Sequence, residues 1–428
     1  MNWLNTQSLG SKGPHTELLQ SALSRTGAAL STDGVFGPDT CGALTRFQQQ
    51  NGLSADGCAG AKTWKALLPY ITGYIKYAVK PGDTLYSLAQ KYNTTLKAIE
   101  TANPGIDILR LQAAQIIVIP LGFPVVPTNI SFCSDALNFC VHGLAARYPF
   151  LRLRSIGRSV MGKPIHCLML GSGSNRVLYN AAHHANEWIT TPLIVKFIEE
   201  YAHAYSTGEK ICGVRARSVH ELTKLYAVPM VNPDGVDLVT GALTSGKYYD
   251  NAVRLAQSYP DVPFPSGWKA NIEGVDLNLQ YPAGWENAKK IKAELGVTSP
   301  GPRDYPGQAA LNAPESRAMF ELTKAHEFAL TLSYHTQGEV IYWKYLDLEP
   351  KSSRQIAQKF GEISGYAVEE TPYVSGFAGY KDWFIETFDK PGCTIEAGLG
   401  ESPLPIAQFP DIYSKNVGIL TRGLYATL

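Results

Sequence analysis

The sequence predicts an α/β protein: a large body with a sheet and helices on both its faces, preceded by a small helical domain and a small β-α-α-β domain. Three observations predict it. Apolar strand-like runs at 177–179, 226–230 and 341–343 alternate with helix-like segments such as PLIVKFIEEYAHAY, which begins at Pro192. A turn-then-helix phrase nearly repeats early in the chain, as DGVFGPDTCGALTRFQ from Asp33 and DGCAGAKTWKALL from Asp56. A strand-helix-helix-strand pattern then occupies 77–120.

Composition narrows the class. With 428 residues, 45% hydrophobic and 18% charged, the chain suits about two to four domains and a large buried core. Its 38 basic and 37 acidic side chains leave +1, which excludes capture by nucleic acid or an anionic membrane through bulk charge. The most apolar stretch, 116–126, is interrupted by Pro120 and Pro124 and is shorter than the roughly 20 residues a membrane-spanning helix needs. No basic segment followed by an apolar core opens the chain, so we expect no signal peptide. Seven cysteines, at 41, 58, 133, 140, 167, 212 and 393, form an odd and scattered set. We expect mostly free thiols of a reducing compartment, the alternative being a Cys41–Cys58 or Cys133–Cys140 bridge.

In the first module, 1–70, Gly34, Gly37, Gly57 and Gly60 suit tight turns, and Thr40 and Thr63 are expected to cap the helices that follow. Leu19, Ala22, Leu23, Leu44, Phe47, Trp64 and Leu67 recur at helical spacing and predict one small core. With FQQQNGLSADG, this stretch resembles the peptidoglycan-binding domain of bacterial wall hydrolases, a three-helix module. In the second module, 75–120, Tyr77 and Val79 alternate as a strand, Pro81-Gly82-Asp83 turns the chain, and Thr84 can cap a helix bearing Leu85, Leu88 and Ala89. Thr94 and Thr95 open a second helix, Asn103-Pro104-Gly105 ends it, and 116–119 closes as a strand. The module resembles a LysM domain, which implies hydrogen bonding to the N-acetylglucosamine backbone of peptidoglycan. Residues 121–130, LGFPVVPTNI, carry two prolines and read as a stiff linker to the body at 131–428.

Within RVLYNAAHHANEWITTP, His184 and Glu187 stand three apart in the turn after a strand. An imidazole and a carboxylate so placed suit Zn²⁺; the pair alone equally describes a packed histidine and a capping carboxylate. Further along, VPMVNPDGVD, WKANIEGVDLNLQYPAGW, LSYHTQGEVIYW and CTIEAGLG each set polar residues at or after an apolar run, where open α/β sheets place ligands. Together they add a third metal ligand, His335, and an isolated acid, Glu396. A zinc-activated water with a nearby carboxylate to move its proton implies amide hydrolysis.

Over the body, His-x-x-Glu-Trp-Ile, Asn-Pro-Asp-Gly, Gly-Val-Asp-x-Asn, a later His and a late Glu resemble the zinc metallocarboxypeptidase family, whose mixed sheet carries helices on both faces. The resemblance implies one Zn²⁺ on His184, Glu187 and His335, Glu396 as general base, and Asp276 orienting the first histidine. Lys269 stands where the family usually has an arginine that polarises the scissile carbonyl. His183 is the rival for coordination, and the motif register favours His184. Asn278 is kept from the Asn-Arg pair that clamps a C-terminal carboxylate, but Leu279 replaces the arginine, which disfavours a plain C-terminal exopeptidase. LNLQYPAGW, PRDYPG and HTQGEVIYW resemble the bacterial branch of γ-D-glutamyl-L-diamino acid endopeptidase I, which cleaves peptidoglycan stems before a diamino acid, meso-diaminopimelate or lysine. For that side chain we expect Arg303 to take a carboxylate, Glu339 the ammonium, and Tyr380 to offer a mobile hydroxyl. The remaining rivals are a carboxypeptidase and a non-catalytic wall-binding protein. Peptidoglycan is the expected partner, with no nucleic acid and no membrane. The expected compartment is the cytoplasm of a sporulating or muropeptide-recycling cell, ahead of export by a non-classical route.

Overall fold

The computed structural model describes residues 4–107 and 110–428, so the first three residues of the first module lie outside the described residues. The chain divides into two compact units, 1–131 with 135–152, and 132–134 with 153–428.

The first unit opens with α1 (Pro14–Arg25), α2 (Pro38–Gln50) and α3 (Ala61–Thr72). Leu19, Leu23, Leu44, Phe47, Trp64 and Leu67 are all buried between them. The near-repeat in sequence is a repeat in hydrogen bonding. Gln20 donates to Asp33 Oδ1 (2.7 Å) and to Thr40 Oγ1 (3.2 Å) while accepting from Gly34 N (3.0 Å). Gln48 donates to Asp56 Oδ1 (2.9 Å) and to Thr63 Oγ1 (3.2 Å) while accepting from Gly57 N (3.0 Å). Thr40 and Thr63 are therefore not caps. They lie inside α2 and α3, whose N-caps are Gly37 and Gly60, and serve as acceptors for the two buried amides.

The second module follows as β1 (Tyr74–Ala78), α4 (Leu85–Lys91), α5 (Leu96–Ala102) and β2 (Ile116–Pro120), with the strands antiparallel and Tyr77 opposite Ile117. Thr84 caps α4 in a reciprocal box with Ser87, and Thr95 caps α5. Residues 121–130 differ from a stiff spacer, because Val125, Val126 and Ile130 are buried. A solvated linker would leave those side chains in water. Arg25 ties the segment down, donating to Tyr70 O (2.8 Å) and Pro124 O (2.9 Å). Gly73 turns the chain between the modules at φ 74, and a Cβ there would lie 2.8 Å from Val125 Cγ2. Helix α6 (Ser134–Arg147) adds Arg147, whose guanidinium donates to Phe123 O (2.7 Å).

The second unit contains β3 (Arg152–Arg158), β4 (Pro164–Leu170), β5 (Asn175–Ala181), α7 (Thr190–Thr207), the hairpin β6 (Lys210–Ile211) and β7 (Val214–Arg215), α8 (Ala216–Leu222), β8 (Thr223–Val228), α9 (Pro233–Thr240) and α10 (Lys247–Ala256). It continues through α11 (Trp285–Glu294), α12 (Pro314–Lys324), β9 (Leu330–His335), β10 (Val340–Tyr342), α13 (Ser353–Ser364), β11 (Ala367–Glu369), α14 (Tyr380–Phe388), β12 (Gly392–Glu396) and α15 (Phe409–Gly423). The main sheet has eight strands in the order β11-β10-β12-β9-β5-β8-β4-β3. Its centre, β12-β9-β5-β8, is parallel, while β10 and β4 run antiparallel to β12 and β8. This mixed α/β sheet is the predicted fold class. Alternation along β5 shows why its strands read as apolar runs: Leu178 packs with Met319, Trp383 and Phe384 of α12 and α14, while Tyr179 on the other face donates to Leu420 O of α15 (2.8 Å).

One acid is buried away from the sheet edge. Glu315, in the first turn of α12, accepts from Val160 N (3.1 Å) and Asn271 Nδ2 (3.3 Å). Burial, reinforced by the Asp234 carboxylate, pushes its carboxyl from the ordinary 4.5 up to about 7. Because the folded-state value is raised, Glu315 costs nothing below pH 4.5 and opposes folding progressively as pH rises to about 7. The cost is on the order of 3 kcal/mol. Calorimetric melting of the parent and Glu315→Ala from about pH 5 to about pH 8 should show the parent's advantage shrinking as pH rises. An advantage independent of pH would contradict this.

Candidate metal centre

The C-terminal ends of three neighbouring parallel strands converge here. β5 leads into His184 and Glu187, β9 ends on His335, and β12 ends on Glu396, which lies in register opposite His335. After β5, Ala182 takes a left-handed turn (φ 50), and its N–H donates to Thr190 Oγ1 (3.1 Å). His184 then opens a 3-10 turn over Ala185–Glu187, with Thr190 Oγ1 donating to Glu187 O (2.7 Å). That single turn puts two side chains three residues apart on the same side.

Glu187 is 1% exposed and its two oxygens lie 3.0 Å from His184 Nδ1 and 2.9 Å from His335 Nδ1. The two Nδ1 atoms are 3.3 Å apart. Ligands about 2.0–2.1 Å from one tetrahedral ion stand about 3.3 Å from each other, so these atoms are spaced for one ion. Two imidazole nitrogens and a carboxylate oxygen fit Zn²⁺, and among the described residues no second group of this kind occurs.

The partners around the cluster set its protonation. Burial and the Lys269 ammonium disfavour a proton on His184, yet the Glu187 and Asp276 carboxylates outweigh them and hold its imidazole up to about 9. Asp276 Oδ1 lies 3.2 Å from His184 Nε2 and accepts from Asn278 N (3.1 Å), while Oδ2 accepts from Asp304 N (3.2 Å). Burial alone would raise the Asp276 carboxyl, but His184, Lys269 and these donors hold it well below the usual range. With the ion bound, His184 would give up its Nδ1 proton, and Asp276 would hold the remaining proton on Nε2 and leave the Nδ1 lone pair facing the ion. Lys269 Nζ is 3.1 Å from Glu187 Oε1. Glu396 lines the same cavity; burial, with Glu187, raises its carboxyl above the ordinary value against the pull of His335 and Lys269. His183 stays outside the cluster, its Nε2 at 3.0 Å from the Tyr281 hydroxyl, and burial keeps it neutral far below the ordinary histidine value.

The Asn-Pro-Asp-Gly phrase fastens two site loops together. Asn232 caps α9 through Gly235 N (3.0 Å) while its amide donates to His183 O (3.2 Å) and Ala270 O (3.0 Å). A Cβ at Gly235 would sit 2.7 Å from Ala270 O, so the loop carrying Lys269 can approach only a glycine.

The cavity, of about 330 Å³, also takes in Asn278, Leu279 and Arg303. Asn278 uses its Oδ1 to accept from Tyr380 N (3.0 Å). Arg303 is half exposed and pairs with Asp304 (2.8 Å). Two expected residues are elsewhere. Glu339 does not line the cavity; its carboxylate is held by Lys415 of α15 at 2.6 Å. Tyr380 is fully buried at the start of α14, and its hydroxyl is 2.9 Å from Thr323 Oγ1, so it is no mobile group of the site. Sequence reasoning passed over Lys292, Asp304, Lys381 and Asp382, which all line the cavity. The last two carried a signal, a charged pair directly before the apolar run Trp383-Phe384-Ile385 of the helix YKDWFIETF.

Family models match three stretches: a putative peptidoglycan binding domain at 12–67, a LysM domain at 77–120, and zinc carboxypeptidase at 138–400. The chain is 45% identical over 282 residues to the gamma-D-glutamyl-L-diamino acid endopeptidase 1 of Lysinibacillus sphaericus, covering 66% of this chain and 69% of that one. It is 42% identical over 281 residues to the uncharacterised protein YqgT of Bacillus subtilis (strain 168), covering 65% and 73%. Among solved structures, the carboxypeptidase A of Helicoverpa armigera superposes with a TM-score of 0.54 at 16% identity, over 89% of this chain and 85% of that one, a likeness of fold.

Asp276→Asn should leave the fold intact and weaken zinc binding about 10–100-fold, read by competition with a chromogenic chelator. Unchanged affinity would show that Asp276 does not orient His184.

Proposed function

The chain belongs to the zinc carboxypeptidase family, and from that premise we propose that it hydrolyses the amide joining the γ-carboxyl of D-glutamate to a diamino acid in peptidoglycan stem peptides. The observation that carries the reading is the likeness to the Lysinibacillus endopeptidase, 45% identical over 282 residues. Leu279 in the cavity wall supports it, since leucine offers no cation for a peptide's C-terminal carboxylate. The body is a zinc peptidase domain, and the two N-terminal modules are peptidoglycan-binding and LysM domains that bind peptidoglycan.

When bound by His184, Glu187 and His335, zinc supplies a Lewis acid that makes water acidic and polarises a carbonyl. Glu396, with its carboxyl raised by burial, takes the proton from the attacking water and hands it to the leaving amine. Lys269 is held charged, because Glu187, Asp276 and Glu396 outweigh the burial that would lower it. Its ammonium stabilises the developing oxyanion as a point charge, without the paired fork of an arginine. Arg303, at the open side of the cavity, takes a stem carboxylate, and Asn278 helps to align the main chain. We divide the chain into a first module at 1–70, a LysM module at 75–120 and a catalytic body from 131, and assign it to the cytoplasm. Free thiols at Cys41, Cys58, Cys167, Cys212 and Cys393, two of them buried, support that compartment.

A defined tetrapeptide, L-alanyl-γ-D-glutamyl-diaminopimelyl-D-alanine, separates the reactions by mass spectrometry. The expected products are L-alanyl-D-glutamate and diaminopimelyl-D-alanine, lost on chelation and regained with zinc. Release of D-alanine alone would establish an exopeptidase. Glu396→Gln should retain zinc and lose about 10²–10⁴-fold in kcat.

Binding by the N-terminal modules raises the concentration of stems near the site and leaves the chemical step alone. With the full chain, soluble N-acetylglucosamine oligomers should therefore slow digestion of insoluble sacculi and leave tetrapeptide cleavage unaffected. Equal inhibition of both would defeat the tethering role.

A further inference from the structure

At the end of the main sheet far from the metal ligands lies a group of cations that the reaction does not use. Arg176 and Lys224 stand second in β5 and β8 and face each other in the parallel register. Each comes two residues before a side chain of the core beneath α12, Leu178 and Tyr226, so both belong to that face of the sheet. Arg154 holds the same place in β3, two residues before Ile156, which packs against the same core. Tyr226 lies at the centre of the group, its ring 5.7 Å from Lys224 Nζ and 4.7 Å from the His326 ring. Burial, followed by the charges of Arg176, Lys224 and Arg154, holds that imidazole below the ordinary histidine value. From Arg176 to Ala181, where β5 ends before the ligand turn, the strand rises about 17 Å.

The fold gains little from this arrangement. Like charges side by side on neighbouring strands repel, and among the described residues none of Arg154, Arg176 and Lys224 has an ion-pair partner. A charge on an edge strand can guard it against pairing with another chain, and Arg154 on β3 serves that end. β5 and β8 are interior strands with neighbours on both sides, so Arg176 and Lys224 guard no edge. A surface that keeps these positive charges unanswered suits a ligand with several negative ones. Guanidinium groups match carboxylates through paired, parallel hydrogen bonds. Peptidoglycan, which the N-terminal modules bind, presents such carboxylates along its stem peptides.

We propose that Arg154, Arg176 and Lys224 form a further peptidoglycan contact on the catalytic body, which takes the carboxylates of a stem peptide other than the one being cleaved. A stem held there leaves the metal site open for its neighbour on the glycan. The contact does not depend on which amide the site cleaves.

The test is cosedimentation of the full zinc-loaded chain with sacculi freed of phosphate-bearing polymers, in a Glu396→Gln background so that the sacculi stay intact. On native sacculi the triple variant Arg154→Gln/Arg176→Gln/Lys224→Gln should bind at least about fivefold more weakly than its parent. On sacculi whose carboxylates have been amidated, the two should bind alike. With Glu396 restored, the triple variant should cleave the soluble tetrapeptide within about twofold of the unmutated rate. Equal binding of variant and parent to native sacculi overturns the proposal, and so does a difference that persists after amidation. A difference seen only while phosphate-bearing polymers remain attached assigns the surface to phosphate and overturns the carboxylate contact. A matching loss of tetrapeptide cleavage shows a disturbed body and overturns the separate surface. If the variant does not fold, equal binding of the parent to native and amidated sacculi overturns the proposal as well.

Discussion

A carboxylate sealed from water must be neutralised, and Glu187 is the place where the catalytic body meets that requirement. Two imidazoles and an ammonium approach it from three separate segments: the turn after β5, the end of β9 and the loop bearing Lys269. Each segment is held by contacts that do not involve the ion. Thr190 fixes the turn, the parallel register fixes His335 beside Glu396, and the Asn232 amide joins the Lys269 loop to the backbone of His183. The donor atoms therefore converge through main-chain geometry, and the ion has little ordering left to impose.

This construction separates what a linear reading reaches from what it misses. Strands covered on both faces carry near-continuous apolar runs, so the central strands stand out against amphipathic helices. The His-x-x-Glu turn is local and was visible as a spacing. His335 and Glu396 lie 148 and 209 positions beyond Glu187, and only the order of phrases along the chain drew them to it. The misreadings share one cause, a distant partner. Lys415 holds Glu339, Thr323 engages Tyr380, and the amides of Gln20 and Gln48 use hydroxyls that resembled caps. Lys381 and Asp382 were adjacent and conspicuous, but their shared cavity wall becomes apparent only when α14 packs beside β12.

Recognition and chemistry are divided among charges of different depth. The half-exposed Arg303 keeps its hydration and acts at the cavity mouth. Glu396 and Lys269 sit where burial strengthens their effect on a reacting group.

The junction at Gly73 and Arg25 bears on how such a chain is assembled over generations. Residues 121–130 fold back against the end of α3, where Arg25 spans Tyr70 O and Pro124 O and a Cβ at Gly73 would meet Val125. A recombination breakpoint between α3 and this segment would take Pro124 O from Arg25 and leave it Tyr70 O. An exchange that keeps this contact must therefore carry 121–130 along with the first module.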